Sequence, residues 1–432
     1  MAIVRPVFYL LARDKKDGSM PLPEKTDVIV IGAALNGLAA ALALGAGQAR
    51  PALSVVILDR GDPGAFATAQ ADGRASAITA SSRLMFEALG VWDAMAPHAE
   101  PMREIIVTDA QGAEARPTLL HFGADAHPGG ASAVMIENRH LHAALMEKVR
   151  QSPAITLHGG VQVSGYSFGP GLATVTTSAS ERVKASLIVA ADGRNSAARA
   201  AAGIKTYGWE YDQAGIVTTV AHELPHEGRA EEHFRPAGPF AILPLLGNRS
   251  SIVWTESRDE AARIVALDDD AFTAELRERF GTHLGAVTLA GPRHAYPLSM
   301  FIAQSFAGPR LALIGDAAHV VHPIAGLGFN LGLRDAAALA ECVTNAVRLG
   351  LDPGNAAALE EYVRWRRFDT VATAVATDGL NRLFSNDHPA LRVLRDAGLR
   401  IADRMGVVKS FFMREAAGET GRLPKLLQGE PV

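Results

Sequence analysis

Three apolar runs in this sequence each stop at an acidic step. Val55–Leu58 ends at Asp59-Arg60, Ser186–Ala191 closes on Asp192-Gly193-Arg194, and Leu311–Ile314 closes on Gly315-Asp316. A single Asp-Gly step is usually only a turn; three strand ends with matching chemistry in one chain are hard to attribute to turns alone. Beyond the third lies a loop with His319, His322 and Pro323, and then Gly326 and Gly328 flank Leu327. From Phe329 apolar residues recur at helical spacing through Leu331, Leu333, Ala337 and Leu339. Strand, acidic turn, glycine-bearing loop and helix start follow one another. A helix start offers unpaired N–H groups and the positive end of a dipole, and glycines let a ligand approach the main chain. An electron-rich ring is expected on this turn.

The elements that must position these groups can be read outward from the first fingerprint. Asp27-VIVIG predicts a strand, followed by an alanine-rich helix to about Gly47 and a second strand, Val55–Leu58. An acidic residue about 20 positions beyond the turn is what dinucleotide binding requires, and Asp59 supplies it. Gly32, Ala34 and Gly37 occupy the three fingerprint positions, with Ala34 adding a methyl where glycine is usual. The stretch Val28–Gly47 is long and apolar enough to suggest a membrane span. Its β-branched start and the break at Gly32 favour strand-turn-helix. Arg74, followed by small residues, could meet a phosphate without crowding or, read alone, be a solvated surface arginine.

A helix is expected over Ser81–Leu89, a hairpin over 101–117 turning at Gln111-Gly112, a loop over 118–132, and a helix over His140–Arg150. His121, His127, His140 and His142 follow no metal-ligand pattern and read as surface or loop histidines. Strands are expected at Ile155–Leu157, Val161–Gly165, Ala173–Ser178, Val183–Ala185 and Ser186–Ala191. Residues 205–305 read mainly as an antiparallel sheet with one helical stretch, Asp268–Phe280, and Pro244 suggests an edge or a bulge near a pocket. Helices dominate after Cys342. The fold class is therefore α/β: a Rossmann-like domain (26–204 and 306–345, with a β-hairpin excursion near 101–135), an inserted antiparallel β-sheet substrate domain (205–305) and a helical C-terminal region (346–432). Residues 1–25 are expected to be a disordered extension.

Composition narrows the function. Among 432 residues, 48% hydrophobic and 20% charged, the chain has the profile of a soluble globular enzyme. A net charge of -4 leaves no basic excess for nucleic acid. The lone Cys342 excludes an internal disulfide framework and a cysteine zinc site, and the His319/His322 pair lacks a third ligand signal, so no metal is expected.

From Asp27 to Gly429 the chain resembles the flavin-dependent aromatic hydroxylases built like p-hydroxybenzoate hydroxylase, and more closely their ubiquinone-biosynthesis branch. The resemblance rests on DGRASAIT, ENRHLHAAL, ADGRNSAAR, HFRPAGPFAILPL, YPLSMFIAQSF, GDAAHVVHPIAG with GFNLGLRDAAALAE, and YVRWRRFDTVATAVATDGLNRLFS. It implies FAD in an extended pose: Gly32, Ala34 and Gly37 at the pyrophosphate, Asp59 at the adenosine ribose, and Arg74 and Arg139 on the pyrophosphate side. Asp192 and Gly193 match an Asp-Gly motif tied to FAD and to the nicotinamide donor. Gly315 and Asp316 would meet the ribityl chain. Pro323, Gly326, Gly328, Phe329, Asn330 and Leu331 would surround the flavin ring and its pyrimidine edge. Leu327 stands where that branch usually has glutamine, which removes a polar group near the ring.

The implied reaction inserts one oxygen atom from dioxygen into a prenylated phenol through a C4a-hydroperoxyflavin, with NAD(P)H as electron donor. The chemistry belongs to the cofactor, and the protein supplies position, charge and dryness. The strand Phe240–Leu245 and Pro323 are expected pocket walls. His319 and His322 are the loop groups that could act as phenol-activating bases, or could simply order the loop. Residues 391–415 carry six Lys or Arg against three Asp or Glu among spaced apolar residues; this segment suits peripheral contact with the inner membrane surface or packing on the core. Expected partners are the phenolic substrate, a ubiquinone-biosynthesis complex and a second copy of the chain, in the cytoplasm. Rival readings on the same scaffold are a prenyl reductase, a halogenase, or a flavin-poor, non-catalytic member of such a complex.

Overall fold

The computed structural model describes residues 21–45, 53–62, 73–109, 118–123, 131, 133–384 and 421–432. The expected N-terminal extension up to residue 20, the turn at Gln111-Gly112, His127 and the basic segment 391–415 lie outside the described residues.

Four parallel strands form the heart of an eight-stranded sheet: Leu311–Leu313, Arg182–Ala190, Lys25–Ile31 and Val55–Leu58, with Ile155–His158 continuing it in parallel. Strands covered on both faces read as unbroken apolar runs, and Val28, Ile29, Val30, Ile188 and Leu313 are fully buried. The segments expected as Val183–Ala185 and Ser186–Ala191 are one strand, Arg182–Ala190. From Lys25–Ile31 the chain turns to one side to reach Val55–Leu58 and later returns on the other as Arg182–Ala190. Such a switch point opens a crevice at the carboxyl ends of the strands. The Val28–Gly47 stretch is therefore strand, turn and the helix Leu35–Gly45. Among the described residues no helix is long and apolar enough to cross a membrane.

The second sheet has nine strands, ordered His319–Val320, His294–Ala303, Thr206–His222, Arg249–Ser257, Gly238–Leu245, Arg229–Arg235, Glu104–Asp109 and Thr118–Phe122, with Val287–Leu289 paired beside Thr206–His222. Three expectations change here. The loop read from 118 onward begins as the strand Thr118–Phe122, antiparallel to Glu104–Asp109. TLLHF is too short to show a period, and its strand character comes from its partner. Glu104–Asp109 in turn pairs in parallel with Arg229–Arg235, so the hairpin extends this sheet. Gly238–Leu245 is an interior strand, not an edge; Pro244 lies beyond Ile242, the last residue paired with Arg229–Arg235, so its missing N–H costs no bond on that side. Finally, Arg258–Val265 is a helix that the sequence reading passed over, although Ser257 accepts from the Glu260 N–H in the manner of a capping box.

Helix Leu327–Arg348 packs between Leu35–Gly45 and the long helix Ala356–Phe384. His142 is not a surface histidine: it is buried, with Nε2 3.1 Å from the Ala33 carbonyl oxygen, and it ties the helix Asn138–Gln151 to the first turn.

Candidate active site

At the crevice a cleft of about 440 Å³ opens between the strand ends of the parallel sheet and the face of the antiparallel one. Eight of the expected residues line it: Ala34, Arg74, Gly193, Asp316, Pro323, Gly326, Gly328 and Phe329. Asn36 and Asn138, which the sequence reading did not single out, join them. The remaining expected residues do other work.

Gly32 (φ 105) packs so tightly that a Cβ would collide with the Ala191 carbonyl, and one on Gly37 would collide with Gly32. The two glycines bring helix and strand together rather than touch the cleft. Asp59 accepts the Ala33 N–H at 2.6 Å and the Gly61 N–H at 2.7 Å, fixing the turn from below. Asp192 accepts from the Ala197 and Ala198 N–H groups, while its Oδ1 is buried without a partner among the described residues. Arg139 is not brought to the cleft. Its guanidinium donates to Glu137 at 3.1 Å, a carboxylate it shares with Arg249. Asn330 is spent on architecture, donating to the Ala77 carbonyl at 2.7 Å and accepting the Thr79 N–H at 3.2 Å. Leu331 is buried beside Tyr211, Leu298 and Val321. The Leu327 side chain lies outside what the structure describes.

The acidic turn is held by a buried ion cluster. His319 Nε2 lies 2.6 Å from Asp335 Oδ2, the Gly315 N–H donates to the same oxygen at 3.0 Å, and Arg366 Nε donates to Asp335 Oδ1 at 2.8 Å. Burial works against the Asp335 carboxylate, but His319 and Arg366 hold it below the usual range. Sequence reasoning missed Asp335 and Arg366, although an acid inside an apolar helical stretch, RDAAALAE, signals a buried partner. With His319 engaged in this way, it is a positioning group. His322 is fully buried, neither ring nitrogen meets a partner among the described residues, and burial pushes its pKa down to about 4 against the pull of Asp378. Neither histidine lines the cleft or the pocket beyond it, so both lose their candidacy as bases.

That second pocket, about 200 Å³ and mostly apolar, shares Pro323, Gly326, Ala75 and Val253 with the cleft. Its sheet wall is one face of the strand expected as a pocket wall. Pro239, Ala241 and Leu243 face it, whereas Phe240 and Ile242 alternate away into a core with Trp254 and Phe272.

A flavin adenine dinucleotide fits the cleft. Gly193 and Gly328 have open space where a Cβ would stand. Gly326 (φ 63) turns the chain into helix Leu327–Arg348, whose first N–H groups face that space. Asn36 Oδ1 is buried without a partner among the described residues. Asp316 stays exposed within the cleft; the surrounding walls push its carboxyl up, and His319, Arg74 and Arg194 pull it back. A carboxylate for hydroxyls, a guanidinium for phosphate and free N–H groups for an electron-rich ring edge are the complement of this cofactor.

Comparison with known proteins agrees. Residues 25–375 match the FAD binding domain family. Over 410 residues the chain is 43% identical to the ubiquinone hydroxylase UbiL of Rhodospirillum rubrum, spanning 94% of this chain and 93% of that protein. It is 33% identical to the 3-demethoxyubiquinol 3-hydroxylase of Escherichia coli, over 91% of this chain and 99% of that one. The crystal structure of a p-nitrophenol 4-monooxygenase from Pseudomonas putida superposes with a TM-score of 0.75 at 20% identity, covering 93% of this chain and all of that one, a likeness of fold.

Proposed function

The chain belongs to the FAD binding domain family, within the ubiquinone hydroxylases of the class A flavoprotein monooxygenases, and from that premise we propose that it hydroxylates a prenylated phenol of ubiquinone biosynthesis. The observation that carries this reading is the wall common to the two cavities. Pro323 and Gly326 line both the polar cleft that suits FAD and the apolar pocket that suits a hydrophobic ring. A substrate ring in the pocket thus lies against whatever occupies the cleft's inner end.

When bound, the flavin supplies dioxygen activation at the expense of a reduced nicotinamide and delivers an electrophilic oxygen to the ring. The protein's part is placement. Asp316 would accept hydrogen bonds from cofactor hydroxyls, and Arg74 would meet the phosphates. The helix start at Gly326–Phe329 stabilises negative charge on the pyrimidine edge, as preorganised donors do. Met102, Ala133, Ala230, Ala241 and Leu243 keep water from the reacting atoms. The experiment is reconstitution with FAD followed by turnover of a prenylated phenol with NADH or NADPH, read by product mass. A gain of one oxygen supports hydroxylation; a reduced prenyl chain, a halogenated ring or colourless protein that takes up no FAD overturns it.

A further inference from the structure

The mostly apolar inner pocket also carries carboxylates. Two titratable residues contribute to its lining, Glu231 and Glu232 on the strand Arg229–Arg235. Glu231 is committed: His233 Nε2 lies 3.1 Å and His283 Nε2 2.8 Å from its carboxylate. Burial opposes its charge, but hydrogen bonds from those histidines hold its pKa down at about 2. Among the described residues Glu232 has no such partner. Successive residues of a strand face opposite sides, so Glu232 shares the face of Ala230, which packs with Met102, Ala133 and Leu245. Its surface exposure is intermediate although protein surrounds it, because what it faces is the pocket. Burial alone pushes its carboxyl up to about 7.

Register places this carboxylate relative to the cleft. Glu232 stands opposite Ala241, Ala241 opposite Val253, and Val253 opposite Val217. One row across the sheet therefore runs from Glu232 through the pocket to two residues, Val253 and Val217, that line the cleft. Neighbouring strands are about 4.8 Å apart, so Glu232 lies about 10 Å across the sheet from the point where pocket and cleft meet. That is room for one aromatic ring with its reacting carbon at the cleft and its hydroxyl at Glu232.

Resting on the hydroxylase reading, we propose that Glu232 is the catalytic base that accepts the phenolic proton of the substrate. As the new carbon–oxygen bond forms, the ring supplies the electron pair and the phenolic O–H bond breaks. Its proton passes to a Glu232 Oε atom. The ring carbon then loses its own hydrogen as a proton and aromaticity returns. Dioxygen is the oxidant and the reduced nicotinamide the reductant, and the second oxygen atom leaves as water with the protons released. A base of pKa close to the working pH is best suited to such a transfer. An unpaired carboxylate in an apolar pocket otherwise only costs stability.

The test compares an ortho-prenylphenol with its O-methyl ether, which has no proton to give, in the wild-type protein, Glu232→Gln and Glu232→Asp, each loaded with FAD. The rate ratio between the two compounds is internal to each sample and independent of the fraction folded. The expected wild-type ratio favours the phenol by roughly 100-fold or more, the usual contribution of general base catalysis. In Glu232→Gln the ratio falls towards unity with the ether rate retained, and Glu232→Asp recovers part of it. Wild-type kcat/KM for the phenol rises with pH through about 7, and that limb is missing from Glu232→Gln. A ratio or pH limb that survives in Glu232→Gln overturns the assignment while leaving the hydroxylase reading intact, and so does loss of the ether rate along with the phenol rate. Wild-type protein that adds oxygen to neither compound overturns both.

Discussion

His319 Nε2 sits 2.6 Å from Asp335 Oδ2, and both side chains are almost wholly buried, at 1% and 0% exposure. The pair does more than neutralise itself. Asp335 also takes the Gly315 N–H and the Arg366 guanidinium, so one carboxylate pins the acidic turn to helix Leu327–Arg348 and to helix Ala356–Phe384. Asp316 and the helix start at Gly326 are thereby held in a fixed relation.

Removing that carboxylate leaves the buried His319 ring without its acceptor and the Arg366 guanidinium, among the described residues, with Asp369 alone at 3.1 Å. Asp335→Ala is expected to cost roughly 3–5 kcal/mol of stability, the usual penalty for breaking a buried pair from one side. It should also release FAD, because the turn that presents Asp316 loses its anchor. Urea denaturation and the flavin absorbance retained after gel filtration check both effects. A loss below about 1 kcal/mol with flavin retained would contradict the role given to Asp335.

His322 predicts a particular acid sensitivity. Its pKa falls from 6.5 to about 4 because burial disfavours the charged ring. Below pH 6.5 the unfolded chain takes up a proton that the folded one refuses until about pH 4, so stability falls as pH drops through that window. The effect is at most about 3 kcal/mol by linkage. His322→Phe keeps a ring against Tyr211 and abolishes the titration. Thermal melts from pH 7 to pH 4 should therefore fall less steeply in the variant, and parallel slopes would refute the assignment.

Much of this site is legible in the sequence because its chemistry is local. The strand-end acids, Gly326 and Gly328 announce themselves within a few residues of the elements they serve. What escaped reading depends on distant partners. Thr118–Phe122 is a strand because Glu104–Asp109 lies beside it. The resemblance puts Arg139 at a phosphate-binding position, but Glu137, whose carboxylate also takes Arg249, holds it elsewhere. Asn330 faces Ala77 and Thr79, some 250 positions earlier in the chain. The strand Phe240–Leu245 is expected from the sequence as a pocket wall, yet only the packing of Phe240 against Trp254 reveals which of its faces lines the pocket.

Gly328 separates stability from binding. A Cβ there meets nothing within 4 Å, because it would project into the cleft. Gly328→Ala should stabilise the apoprotein by a few tenths to about 1 kcal/mol through helix propensity. The same methyl should weaken FAD binding roughly tenfold, about 1.4 kcal/mol. Melting of the apoprotein and a flavin fluorescence titration read the two signs separately, and unchanged FAD affinity would contradict the placement of the ring edge.

The two arginines expected at the phosphates should now behave differently. Arg74 lines the cleft and Arg139 does not. Arg74→Ala is expected to raise the FAD dissociation constant roughly tenfold or more, with Arg139→Ala within about threefold of wild type. Equal effects in a fluorescence titration would return Arg139 to the cofactor.

In the function proposed, the FAD-loaded chain moves one atom of dioxygen onto a prenylated phenol. The most direct measurement is turnover of an ortho-prenylphenol by the FAD-loaded protein and a reduced nicotinamide under isotopically heavy dioxygen, with the product weighed. The account predicts a phenol carrying one additional hydroxyl whose oxygen is the heavy isotope. Product oxygen drawn from water, or nicotinamide oxidation that yields only hydrogen peroxide and unchanged phenol, would contradict it.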